Sequence, residues 1–188
     1  MQKTKIEWAT HTWNPMTGCL HGCPYCYAKQ TAENPFLSRA FPYGFEPHFY
    51  PNRLREPMAL KNPAIVFADS MSDLFGDWWT IDQIRQVLFV MNDYRGAHWH
   101  KFVVLTKNPK RMAAILSEPA IIYDPPDHFK NIYFGTSISG DIAGDTPELD
   151  RLIALKDVHD LGYKTVISIE PLLHDPGEVR GSISCRIS

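Results

Sequence analysis

Short apolar runs alternate along the chain with stretches whose apolar residues recur at helical spacing. The runs at 64–68 and 102–105 are continuously apolar, which is typical of strands in a parallel sheet covered on both faces. Between them, apolar residues three and four positions apart predict a helix over 81–92. The same signals predict the remaining elements, which are strands at 8–14, 132–134 and 165–169 and helices at 27–34, 109–116 and 146–159, the last capped by Thr146 ahead of Pro147.

Five predicted strands separated by helices indicate an α/β fold with a parallel sheet and right-handed crossovers. Periodicity alone leaves open whether this sheet is doubly wound or forms a curved partial barrel. The proline-rich segment at 35–63 is expected to be irregular, apart from a helical turn or two within 52–61. At 188 residues, with no repeat or low-complexity linker, the chain is expected to form one domain.

Composition limits the class of protein more than its activity. Hydrophobic residues make up 44% and charged residues 21%, as in ordinary globular proteins, and the net charge of −2 gives no general attraction to nucleic acid or anionic lipid. No apolar run approaches the length of a membrane span, and the N-terminus lacks the apolar stretch of a secretory signal. The four cysteines do not resemble a secreted disulfide framework. A cytoplasmic protein without a membrane partner is therefore expected.

Polar residues follow the predicted strands at the positions where each strand ends. Ser72 and Asp73 come after the second strand, Lys107 after the third, Ser137 after the fourth and Glu170 after the fifth. In parallel α/β folds the ligand site lies at the carboxyl ends of the strands, so these side chains are expected to share one rim. Each also has a plainer interpretation, as a helix cap, a solvated side chain or a strand terminus.

Three cysteines, Cys19, Cys23 and Cys26, follow the first predicted strand, with three and then two residues between them. Three thiolates can bind three irons of a [4Fe–4S] cluster and leave the fourth iron open to a small molecule, whereas four cysteines usually close such clusters. The alternative is a zinc site with His21 or Cys185 as fourth ligand. His21 lies inside the first spacer, which disfavours its reaching the same metal ion.

The cysteine loop, with Tyr25 ahead of its last thiol, resembles the cluster loop of the radical S-adenosylmethionine (SAM) superfamily. Lys107, Ser137 and the pair Ser72-Asp73 resemble positions of its spore photoproduct lyase branch. The chain as a whole is similar to an uncharacterised radical SAM-like family encoded by phages and prophages. Further motifs that carry this likeness are Trp13-Asn14-Pro15, Leu105-Thr106-Lys107, Gly135-Thr136-Ser137 and Ser168-Ile169-Glu170-Pro171.

This resemblance implies a partial (βα) barrel of radical SAM type. Residues 1–188 would form a single domain, with a core at about 5–173 and a polar tail at 174–188. The core of the superfamily usually has six strand–helix units, and this chain offers five. The last unit is therefore expected to be missing or truncated.

The resemblance also implies cofactors, partners and a reaction. SAM would chelate the open iron of the [4Fe–4S] cluster, and an electron donor such as flavodoxin or ferredoxin would reduce it. Cleavage of SAM would then yield a 5′-deoxyadenosyl radical that abstracts hydrogen from the substrate. Tyr25 would lie against the adenine, Lys107 would pair with the methionine carboxylate, and the hydroxyls of Ser72 and Ser137 would contact the amino group or ribose.

Two further residues complete the implied cofactor-binding set. Asp73 would assist SAM binding or cap the following helix, and Glu170 would reach the ribose or the substrate. For Tyr25 a place in the core remains the alternative, since most large aromatic side chains fill cores.

The substrate is not defined by these motifs. Nucleic acid is one candidate because of the lyase likeness. However, photoproduct lyases use a cysteine near the substrate as hydrogen donor, and the segment from Ser70 to Asp73 holds no thiol. Repair of a thymine photoproduct is therefore disfavoured. The alternative hypothesis is a non-catalytic iron–sulfur or zinc module, a truncated remnant that acts in phage partner binding.

Overall fold

The structure is a computed structural model that describes residues 1–37, 39–92, 96–119, 129–139 and 146–169. Glu170, Cys185 and the predicted polar tail at 174–188 lie outside the described residues. The predicted single domain and the number of strand–helix units therefore stay predictions. None of the helices in the described ranges has the length and apolar character needed to cross a membrane.

Each strand and helix predicted from the sequence is present, with ends shifted by up to four residues. The strands β1 to β8 are Gln2–Lys3, His11–Trp13, Met16–Thr17, His48–Phe49, Ile65–Ala68, Lys101–Thr106, Ile132–Ile138 and Lys164–Ile169. The helices α1 to α5 are Tyr27–Ala32, Glu56–Ala59, Ile81–Asn92, Pro109–Ser117 and Glu148–Asp160, with 3₁₀ turns at Pro35–Leu37 and Pro51–Arg55.

The predicted cap of the last helix is wrong by one residue. Pro147, not Thr146, is the N-cap of α5, and its side chain makes no capping hydrogen bond. The ψ of Pro147 is 142°, outside the helical region, although its φ of −52° would suit a helix. The helix therefore begins at Glu148.

Among the described residues, the main sheet has six strands in the order β1-β2-β5-β6-β7-β8. β1 is antiparallel to β2, and the other neighbouring pairs are all parallel. This confirms the predicted parallel α/β sheet. The described strands follow one another without the reversal of order that defines a doubly wound sheet. With right-handed crossovers, such an order places the connecting helices on one face of the sheet.

Alternation along the strands separates a core face from a cavity face. Val66 and Val104 are fully buried in the main hydrophobic cluster, together with apolar residues of α3, α4 and α5. Their neighbours Phe67 and Leu105 point to the opposite face, where they line a cavity. The helices thus stabilise the sheet from one side and leave the carboxyl ends of its strands open for a site.

Candidate active site

A cavity of about 650 Å³ lies at the carboxyl ends of the parallel strands. Predicted site residues from four separate segments line it, namely Cys19, Cys23, Tyr25 and Cys26 of the cysteine loop, Ser72 and Asp73 after β5, Lys107 after β6, and Ser137 in β7. The structure thus brings together all the predicted site residues that it describes. Glu170 lies outside the described residues.

The cysteine loop runs from β3 to α1 and depends on two glycines. Gly18 and Gly22 adopt φ of +84° and +72°, a region that residues with a Cβ rarely occupy. At Gly18 a Cβ would lie 2.3 Å from the carbonyl oxygen of Glu46, so only glycine lets these two backbones approach so closely. At the far end of the loop, the Cys26 thiol caps α1 by accepting a hydrogen bond from the Lys29 backbone N–H at 3.4 Å.

Ser72 binds the start of this loop to the segment that follows β5. Gly18 and Ser72 form an isolated parallel bridge, and the Gly18 N–H donates to the Met71 carbonyl at 2.9 Å. The Ser72 hydroxyl donates to the Gly18 carbonyl at 2.8 Å. This geometry gives Ser72 a positioning task at the cavity, whereas its predicted contact with SAM stays a prediction.

The three thiols are free and partly exposed. Burial raises the pKa of Cys19 to about 12, and the nearby groups Asp73, Cys23 and Cys26 act in the same direction, against a hydrogen bond from the His21 backbone. Cys19 is therefore a neutral thiol in the protein without metal. Because the thiolate is the form that ligates metals, binding of iron must release this proton.

No group of three or more His, Cys, Asp or Glu side chains has the geometry to hold a single metal ion in the part of the chain that the structure describes. The result gives no support to a preformed zinc centre. Of the two fourth ligands considered for zinc, Cys185 lies outside the described residues, and His21 bonds through Nε2 to Asp73 at 2.7 Å.

Asp73 is only 4% exposed although it lines the cavity. Its carboxylate bonds to the protein, and Oδ1 accepts a hydrogen bond from the backbone N–H of Phe75 at 3.0 Å, a local turn contact. It does not cap the next helix as one alternative predicted, because α3 begins only at Ile81.

Lys107 and Tyr25 meet across the cavity. Lys107 Nζ donates to Tyr25 Oη at 2.6 Å and lies 4.9 Å from the centre of the ring. Tyr25 Oη also lies 2.7 Å from Ser139 Oγ. The ring therefore connects the cysteine loop with the ends of β6 and β7. Sequence reasoning missed Ser139, although its place two residues after Ser137 was a usable signal.

Sequence reasoning also missed the apolar wall of the cavity. Ile6, Trp8, Phe67 and Leu105 line it, and the rings of Trp8 and Phe67 lie 4.9 Å apart. Ser168, which pairs in register with Ser137, adds a polar group that was not among the predicted site residues. The cavity thus combines a polar rim of thiols, hydroxyls and an ammonium group with an apolar wall.

A family model described as "Protein of unknown function (DUF5131)" matches residues 3–182. The chain belongs to this family. A search of curated proteins found no match. The family assignment itself therefore specifies no activity.

Solved structures of spore photoproduct lyase share the fold. The lyase complexed with dinucleoside spore photoproduct has a TM-score of 0.63 at 16% identity, and a mutant with the same ligand has 0.66 at 19%. Each alignment covers 94% of this chain and 50% of the lyase chain. This DUF5131 chain thus spans about half the length of the lyases that it matches. At such identities the likeness shows the fold alone.

Proposed function

We propose that this DUF5131 chain is a radical SAM-type enzyme that binds a [4Fe–4S] cluster through Cys19, Cys23 and Cys26 and binds SAM beside it. The observation that carries the proposal is that all three thiols and Lys107 line the same cavity, at the carboxyl ends of parallel strands. The fold-level likeness to spore photoproduct lyase supports the same proposal. Together with the sequential strand order, it also supports a partial (βα) barrel.

The donor set suits such a cluster. Three soft thiolates on one loop match the ligands of iron–sulfur centres and leave one iron for a cofactor. When bound, the cluster supplies the electron for reductive cleavage of SAM. The residues of the chain contribute binding, orientation and exclusion of water.

Lys107 and Tyr25 are the residues proposed to orient SAM. An ammonium group carries three donors, so Lys107 can bind the methionine carboxylate while it keeps its hydrogen bond to the tyrosine. The hydroxyl of Tyr25 is held by Lys107 and Ser139, which fixes the ring for contact with the adenine. Ser137 offers its hydroxyl to the amino group or ribose, and Glu170 is kept as a proposed contact of the ribose or substrate.

The apolar wall is proposed to protect the reaction. Ile6, Trp8, Phe67 and Leu105 present carbon surface to the cavity that the thiols also line. Such a surface disfavours water next to a reactive centre and thereby limits side reactions.

The substrate is proposed only at the level of class. The lyase structure that holds a dinucleoside photoproduct supports nucleic acid as the candidate class. The segment from Ser70 to Asp73 has no thiol, so another hydrogen-abstraction reaction is favoured over photoproduct repair. A flavodoxin or ferredoxin is the proposed electron donor.

Anaerobic reconstitution with iron and sulfide tests this proposal. We expect about four irons per chain, brown absorbance, and 5′-deoxyadenosine after addition of SAM and a reductant. Cys23→Ala should lose the cluster. Cys185→Ser is the matched control, since it removes a cysteine outside the loop that is one of the two fourth ligands considered for zinc. Colourless wild-type protein loaded with zinc would contradict the proposal. A stable cluster without turnover of SAM would favour the non-catalytic module.

A further inference from the structure

We propose that Asp73 is the positioning residue of the candidate active site. Through His21 it holds the cysteine loop against the ends of β5 and β6. What the loop binds rests on the proposed function, whereas the contact itself belongs to the chain without any cofactor.

The Asp73 carboxylate accepts four hydrogen bonds from three segments of the chain. Oδ1 accepts from the Phe75 backbone N–H at 3.0 Å and from Thr106 Oγ1 at 2.6 Å. Oδ2 accepts from His21 Nε2 at 2.7 Å and from the Lys107 backbone N–H at 2.9 Å. The two oxygens of a carboxyl group have enough lone pairs for this many bonds, and a buried polar group needs such partners. The cysteine loop, the β5–α3 connection and the end of β6 thus meet at one side chain.

His21 is held from a second side by shape. Its ring meets the edge of Trp78 at a centroid distance of 5.1 Å and an angle of 76°. Trp78 in turn packs on Gly76, where an added Cβ would lie 2.2 Å from the indole ring. Since His21 stands in the spacer between Cys19 and Cys23, fixing its ring fixes the path of that spacer.

A single oxygen atom couples the two halves of the site. Oδ2 of Asp73 bonds both to His21 in the cysteine loop and to the backbone of Lys107. The thiols and the ammonium-bearing residue are therefore set relative to each other before any ligand arrives. Supporting bonds of this kind orient the groups that hold a metal or substrate and reduce the cost of binding. Asp73 acts through other residues and is not itself a catalytic residue.

Hydrogen exchange on the metal-free, reduced full chain tests the inference directly. His21→Phe keeps a ring against Trp78 but removes the N–H donor. We expect exchange in residues 18–26 to rise about tenfold or more, with α3 unchanged. His21→Gln retains a donor and should recover part of the protection. Asp82→Asn, at a side chain 84% exposed on α3, is the matched control and should exchange like wild type.

Thiol alkylation provides the second readout. Cys19 and Cys23 should react faster in His21→Phe than in wild type. Exchange and alkylation that both stay at wild-type rates in His21→Phe would overturn the inference.

Iron loading separates this inference from the proposed function. If wild type binds the cluster, His21→Phe should retain less iron than wild type, and His21→Gln should retain more iron than His21→Phe. Equal iron in all three proteins would count against Asp73 as a positioning residue. If wild type binds no iron while the metal-free loop responds as expected, the proposed function fails and the positioning contact stands.

Discussion

Gly18→Ala is the substitution whose effect follows most directly from the geometry of the cysteine loop. Gly18 has φ +84°, and an added Cβ would lie 2.3 Å from the Glu46 carbonyl oxygen and 2.6 Å from that of Phe45. Both neighbours are backbone atoms, which cannot move aside as the tip of a flexible side chain can. The substitution therefore imposes a strained dihedral angle and a steric clash together.

The two costs can be estimated separately. A left-handed conformation costs a residue with a Cβ about 1–2 kcal/mol. Forcing extra volume into a packed site costs about 1–3 kcal/mol. Gly18→Ala should thus lower the free energy of unfolding by about 2–5 kcal/mol. Gly22 supplies the control, because its φ is +72° but nothing lies within 4 Å of its added Cβ. Gly22→Ala should lose only the first part, about 1–2 kcal/mol.

Urea denaturation of the two variants, followed by far-UV circular dichroism under reducing conditions, measures both losses. We expect Gly18→Ala to lose at least about 1 kcal/mol more than Gly22→Ala. Equal losses in the two variants would refute the claim that the close approach of the two backbones determines the shape of the loop.

Three further predictions concern pH, charge and ligand orientation. Burial lowers the pKa of His100, although its hydrogen bonds to the backbone of Pro57 and Leu60 oppose this shift, so the unfolded state binds more protons between the lowered value and about 6.5. The free energy of unfolding should therefore fall as the pH drops below about 6.5. His100→Gln should make this fall smaller, whereas His98→Gln, at an exposed side chain, should leave it unchanged. Urea denaturation at several pH values measures both effects. Lys107→Met should weaken SAM binding about 10-fold or more in calorimetry, because a charge-assisted bond is lost, and an unchanged affinity would count against its role. Tyr25→Phe removes the hydroxyl that joins Lys107 to Ser139 and should weaken SAM binding by less than about 10-fold. A loss of affinity larger than that of Lys107→Met would contradict the proposed roles of the two residues.

The sequence predicted the secondary structure well where the pattern is long or continuous. The helix at Ile81–Asn92 has the predicted bounds, because five apolar residues at helical spacing define one face. The two-residue strands Met16–Thr17 and His48–Phe49 were not predicted, since two residues carry no periodicity. Their pairing with each other depends on contacts 31–33 positions apart along the chain.

The site was predictable as a set of residues but not as a network. The rule that ligands bind at the carboxyl ends of parallel strands was sufficient to collect Ser72, Lys107 and Ser137 at one cavity. The partners of each side chain were not predictable. Lys107 meets Tyr25 across 82 positions of sequence, and Asp73 meets His21 across 52. Such pairs follow from the folded geometry, which is why the hydrogen bonds of Asp73 to His21 and Lys107 were not predicted. The predicted contact of Asp73 with SAM stays a prediction.

The proposed function depends on a [4Fe–4S] cluster that three thiolates bind and that leaves one iron open to SAM. Electron paramagnetic resonance of the anaerobically reconstituted and reduced wild-type protein, recorded before and after addition of SAM, tests it most directly. We expect the signal of a reduced [4Fe–4S] cluster, and we expect this signal to change when SAM binds. A protein without a cluster signal, or with a signal that SAM leaves unchanged, would contradict it.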